Sequence, residues 1–206
     1  MKEPSLAEDV AFARAMAEEG ATAPTLSGRF TVMWSALAGS AFAVHWGILR
    51  DVLPFEVETI AFLWLSVMIV GGVGTALLCM TLRDKPGLST AGNKAEAAGW
   101  PIVSVAIFGI AVAIAISVNF RDQSPILFDM IIPIAFAFYA LMTALSARLF
   151  GKSSANWLVL VSLALSFVTT ALVGLPEIYL LAAAGIVTTQ LIPGYAALRA
   201  EPKAIV

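Results

Sequence analysis

The sequence predicts an all-α polytopic membrane protein with six transmembrane helices arranged as three antiparallel hairpins, and three observations carry that expectation. Hydrophobic residues make up 60% of the 206 and charged residues 13%, with a mean hydropathy of +0.90. Ordinary soluble domains run at about 45–50% and about 25%. Six segments, at about 30–49, 59–82, 100–120, 126–147, 156–174 and 177–198, hold the roughly 20 apolar residues needed to cross a hydrocarbon layer about 30 Å thick. Finally, the third and fourth segments are separated only by "RDQSP" and the fifth and sixth only by "GLPE". Each connector carries a Pro that stops one helix and suits the first turn of the next.

The chain accordingly divides into a cytoplasmic amphipathic helix and linker (1–28), a six-span membrane domain (29–199) and a short cytoplasmic tail (200–206). In "PSLAEDVAFARAMAEEG", Ser5 and Glu8 form a capping box, acids fill the first turn and Gly20 is placed as a stop, which predicts a helix over about 6–19. Leu6, Val10, Phe12 and Met16 contribute to its apolar stripe and are the candidate partner-binding residues. Lys2 and Arg14 face five acids within residues 1–28, a net of −3 that disfavours an anionic lipid surface. The stripe is therefore expected to meet protein, either the bundle's own loops or a soluble cytoplasmic partner. A long acidic stretch rather than a short basic one precedes the first apolar run, so no secretory signal is expected.

The spans repeat a pattern. Outward-going helices open near Trp34, Trp100 and Trp157; returning helices open with Pro and an acid, at Pro54 and Glu58, Pro125 and Asp129, and Pro176 and Glu177; these close at Arg83, Arg148 and Arg199. Trp favours the headgroup level, acids suit a helix N-terminus and Arg its C-terminus. The recurrence is thus explained by hairpin physics as well as by a tripled ancestral hairpin. Small residues at four-residue spacing (Gly39, Ala43 and Gly47; Gly72 and Ala76; Gly109, Ala113 and Ser117; Ser162, Ser166 and Thr170) read as packing seams. Helices five and six add Thr169, Thr188, Thr189 and Gln190, which fit either packing or a solute pathway, and Pro193-Gly194 reads as a hinge or a fraying end.

Orientation follows from the basic residues. Lys2, Arg14, Arg29, Arg83, Lys85, Lys94, Arg148, Lys152, Arg199 and Lys203 fall on one side, against Arg50 and Arg121 on the other. The positive-inside rule puts both termini in the cytoplasm.

Ionisable groups within spans are costly, at least about 2.5–3.5 kcal/mol at the bilayer centre, and so are candidate functional residues. Opposite chain directions bring His45 and Asp129 to similar depth near the outer face, with Glu58 and Glu177 slightly further out. The four are the candidate proton- or ligand-sensing set, although a helix N-terminus can also stabilise Asp129 and the headgroup boundary can accommodate His45 beside Trp46. One His, one Cys and one Asp inside a span provide no bis-His haem, zinc box, disulfide or two-Asp protease. No zinc-protease, nucleophile-elbow or phosphate-loop motif is present either. No cofactor, metal or catalytic residue is expected, and without a basic face neither is nucleic-acid binding.

The segment "EDVAFARAMAEEGATAPTLSGRFTVMWSALAG" resembles the N-terminal region of small, uncharacterised bacterial inner-membrane proteins, some of them associated with a neighbouring winged-helix regulator gene. The resemblance implies the topology above and a cytoplasmic regulator as partner; it carries no functional residue across. The resulting expectation is a non-enzymatic sensory or regulatory membrane protein in contact with the lipid bilayer, with self-association open. A small-solute or proton-coupled transporter is the alternative, and a membrane enzyme a distant third.

Overall fold

The computed structural model describes residues 25–82, 85, 87–152 and 155–201. These residues form helices joined by short turns. Five helices are long and apolar enough to cross a membrane: α1 (Gly28–Leu49), α2 (Thr59–Met80), α3 (Ala91–Phe120), α4 (Pro125–Leu149) and α6 (Glu177–Arg199). A shorter apolar helix, α5 (Asn156–Ala171), has 16 residues. The set is compatible with a multi-pass membrane protein. The helix expected over 6–19, with Leu6, Val10, Phe12 and Met16, lies outside the described residues, as do Arg83 and residues 202–206.

Packing is uneven. The core lies where Ile132 and Phe136 of α4 meet Ile178, Tyr179, Ala182 and Ile186 of α6, with Phe42 and Trp46 of α1 and Leu165 of α5 closing around them. The broadest interfaces join α4 to α5 and α1 to α6, while α2 packs on α1 and α3 on α4. Consequently α2 and α3 are the outlying helices, with long apolar faces such as Phe62, Ile69 and Leu77, and Ile102, Val105 and Phe108, left exposed. In lipid such faces need no protein cover, since acyl chains are as apolar as Leu.

Glycines set the closest approaches. A Cβ on Gly28 would overlap the backbone of Ala197 and Leu198, and one on Gly194 would press on Thr31, so α1 and the end of α6 cross nearly backbone to backbone. Pro193-Gly194 is thus part of a tight crossing inside a helix that continues to Arg199. The seam on α2 is one residue out of phase with the expected stripe: Gly71 and Gly74 accommodate Trp34 and Met33, whereas Gly72 faces open space. Gly109 of α3 likewise has nothing against it. Four-residue spacing of small residues allows close packing but does not determine which face is used.

Three elements differ from sequence expectation. Helix α3 starts at Ala91, well before the predicted 100, because Thr90 in an extended conformation caps it by accepting from the Asn93 amide. Helix α4 opens with a 3₁₀ turn, Pro125–Met130, which places Asp129. Within α6, residues Val187–Leu191 widen into a π turn, with the Ile192 amide donating to the Val187 carbonyl. Pro193 cannot donate to the Thr189 carbonyl, and a wider turn just before it relieves the clash that its ring would otherwise cause.

Ion pairs clamp the α1/α6 pair at both ends. Near the start of α1, Arg29 binds the buried Glu201 and donates to Thr81 Oγ1 at the end of α2 at 2.6 Å, while Lys85 Nζ lies 3.7 Å from Glu201. At the opposite end, Arg50 pairs with Glu177.

Candidate functional site

Two polar constellations lie inside the bundle, one toward each end. The first contains both candidate residues at membrane depth. Asp129 is buried: its Oδ1 accepts from the Tyr179 hydroxyl and its Oδ2 from the Gly174 amide at 2.8 Å. Gly174 follows α5 with φ of +88°, a conformation that costs a residue with Cβ about 1–2 kcal/mol. A Cβ there would also press on Ile126. The connector between α5 and α6 is therefore folded around the carboxylate.

His45 of α1 lies on the other side of the same tyrosine. The His45 and Tyr179 rings are stacked at 3.7 Å between centroids, and Trp64 of α2 donates its Nε1 to His45 Nδ1 at 3.2 Å. With Nδ1 acting as acceptor, neutral His45 carries its proton on Nε2. The structure thus links His45 and Asp129 through Tyr179, and no direct hydrogen bond joins them among the described residues. Glu58 is exposed at the start of α2, and the half-exposed Glu177 pairs with Arg50, so neither belongs to this cluster. The cluster ties α1, α2, α4 and α6 together.

A cavity of about 660 Å³ occupies the half of the bundle that contains the start of α1. Phe30, Trp34, Trp100, Val103 and Ile107 give it apolar walls, and its α2 and α3 sides include the exposed Gly72, Cys79 and Val105. It is therefore open to the surroundings between the two outlying helices. Trp34 donates its Nε1 to Thr75 Oγ1 at 3.0 Å and rests its ring on Gly71, bolting α1 to α2. Gln190, in the π turn, also lines the space.

At one end of this cavity two buried residues from the early turns of α3, Asn93 and Glu96, fix the chain that leads into α1. Asn93 Oδ1 accepts from the Leu26 amide at 3.0 Å, and Asn93 Nδ2 donates to the Gly87 carbonyl at 3.0 Å. Glu96 accepts from Ser146 Oγ at 2.5 Å and, more weakly, from Thr25 Oγ1 at 3.4 Å. Leu26 and Ser27 themselves line the cavity. The root of the N-terminal segment is part of its wall.

Sequence reasoning missed this second constellation because 83–99 reads as a loop. The signal was present in "STAGNKAEAA", where Thr90 is an N-cap three residues before Asn93 and Ala is frequent. Among the described residues no group of three His, Cys, Asp or Glu could hold a metal ion. Compared with known proteins, the chain matches no family, no curated protein and no solved structure.

Proposed function

We propose that this is a non-enzymatic sensory or regulatory protein of the bacterial inner membrane, which presents its N-terminal segment to a cytoplasmic protein. In this reading the six helices cross the bilayer as three antiparallel hairpins, with both termini in the cytoplasm. The observation that carries it is the attachment of the tail's root: Thr25 and Leu26 are bonded to Glu96 and Asn93 in the wall of an internal cavity. A change in the cavity therefore reaches the chain's entry into α1 through only a few residues. Coupling needs such a link, with two states that bind a ligand differently.

The fate of Asp129 supports this reading over a proton-coupled transporter. Its two oxygens are engaged by Tyr179 and Gly174 in a buried knot, whereas a transport site needs an acid that can exchange its partners.

The test is deletion of residues 1–20. The truncated protein should insert and fold, yet lose capture of a discrete soluble partner in a crosslinking pull-down from cells. Leu6→Asp with Val10→Asp in the full chain should lose it as well. Equal capture by full-length and truncated protein would refute the proposal.

A further inference from the structure

We propose that the cavity binds an uncharged, lipid-soluble molecule carrying a hydrogen-bond acceptor of the carbonyl type, with the Gln190 side-chain amide as the donor that selects it. The proposal deepens the sensory reading and rests on it for its consequence, not for the binding itself.

Size and walls come first. About 660 Å³ falls within the roughly 300–1,000 Å³ of small-molecule sites, which are mostly apolar with a few placed polar groups. Phe30, Trp34, Trp100 and Val103 provide apolar and aromatic area. No Lys, Arg or His lines the space among the described residues, so an anion would find no countercharge. Glu96, the carboxylate at its end, already accepts from Ser146 and Thr25. An uncharged body is what remains.

The donor identifies the rest of the molecule. Gln190 is 8% exposed, and its Nε2 has no hydrogen-bond partner among the described residues although it is fully buried. A buried amide without an acceptor is unfavourable, and apolar surroundings offer none. Of the other donors that line the space, the Trp34 indole is committed to Thr75. Gln190 owes its placement to the π turn Val187–Leu191, and such turns inside helices recur at functional sites. A carbonyl brought to this amide satisfies it while the apolar body fills the space against the aromatic rings.

The access route selects lipid-soluble molecules. The cavity's α2 and α3 sides include Gly72, Cys79 and Val105, all exposed on apolar helix faces. A molecule already dissolved in the bilayer reaches Gln190 without crossing water. Two sources share this chemistry: the ester carbonyl of a bilayer phospholipid and a free lipophilic ester or ketone.

Photolabelling of the full chain in nanodiscs tests the site and separates the sources. The probes are a diazirine-bearing stearic acid methyl ester, a phosphatidylcholine with the same acyl chain, and a diazirine-bearing octadecane without a carbonyl. The expected result is saturable labelling of peptides containing Trp34 or Val103 by one of the carbonyl probes. That labelling should fall about tenfold in Gln190→Leu, the scale of one hydrogen bond, while the hydrocarbon labels both proteins alike. Preference for the methyl ester identifies a free ligand; preference for the phosphatidylcholine identifies a bilayer lipid. Ala97→Trp, which fills the cavity from the α3 side with Gln190 intact, should also abolish saturable labelling and keeps the test decisive if Gln190→Leu misfolds. Labelling unchanged by either folded variant, or spread evenly over the exposed faces of α2 and α3, would overturn the proposal. Deletion of residues 1–20 should leave labelling intact, so equal partner capture by the truncated and full-length proteins with retained Gln190-dependent labelling refutes only the sensory reading, and capture lost on truncation without Gln190-dependent labelling refutes only this site.

Discussion

Tyr179 donates its hydroxyl to Asp129 while its ring stacks 3.7 Å from that of His45. One side chain therefore joins α1 to the 3₁₀ turn of α4, and Trp64 extends the connection to α2. A typical intramolecular hydrogen bond contributes about 0.5–1.5 kcal/mol. These polar and aromatic side chains thus tie four helices together.

The clasp predicts strong coupling between its members. Tyr179→Phe and Asp129→Asn should each destabilise the bundle, and the double variant should cost less than the sum of the two by about 0.5–1.5 kcal/mol. Denaturant unfolding in mixed micelles measures this cycle. Additive losses would show that the two residues act independently.

Ser162 predicts a change of the opposite sign. Its hydroxyl is fully buried with no hydrogen-bond partner among the described residues, so Ser162→Ala removes an unsatisfied group whose desolvation costs about 1–3 kcal/mol. The variant should unfold at the same or a higher temperature than wild type. A large loss of stability would reveal a partner for that hydroxyl.

Glycines predict a contrast within one residue type. Gly28→Leu and Gly194→Leu insert bulk where α1 and α6 touch and should abolish monodisperse folding. Gly72→Ala and Gly109→Ala, which meet nothing within 4 Å, should change stability by less than about 0.5 kcal/mol. Size-exclusion profiles in detergent and thermal unfolding read both arms.

The two end clamps predict unequal effects. Glu201 and Arg29 have side chains only 4% and 16% exposed; Glu201→Gln breaks this buried pair and should cost about 3 kcal/mol or more, as for other buried pairs. Glu177 and Arg50 are 44% and 48% exposed, so Glu177→Gln should cost about 0–1 kcal/mol. The same unfolding assay ranks them.

Much of the fold was legible because membrane helices are long apolar runs and Pro-containing connectors mark their ends. Helix α6 was read as 177–198 and occupies Glu177–Arg199. Periodicity could not say which face of a helix is buried, since lipid and core are equally apolar; hence Gly72 and Gly109 read as seams yet meet nothing within 4 Å. Depth counting brought His45 and Asp129 to one level, but the group between them, Tyr179, looked like one more apolar position in "LPEIYLL". Gln190 read as one of several polar residues on helices five and six that fit packing or a solute pathway; its missing partner and the π turn that places it are visible only in three dimensions.

The account turns on which end of the bundle faces the cell interior, because the N-terminal segment must reach a cytoplasmic partner. Single cysteines introduced on a Cys79→Ala background report this directly through labelling by a membrane-impermeant maleimide. Phe55→Cys and Asp122→Cys should label on cells with a permeabilised outer membrane and an intact inner one. Leu88→Cys and Lys152→Cys should label only after the inner membrane is opened. The reverse pattern, or equal labelling of all four with the inner membrane intact, would contradict the account.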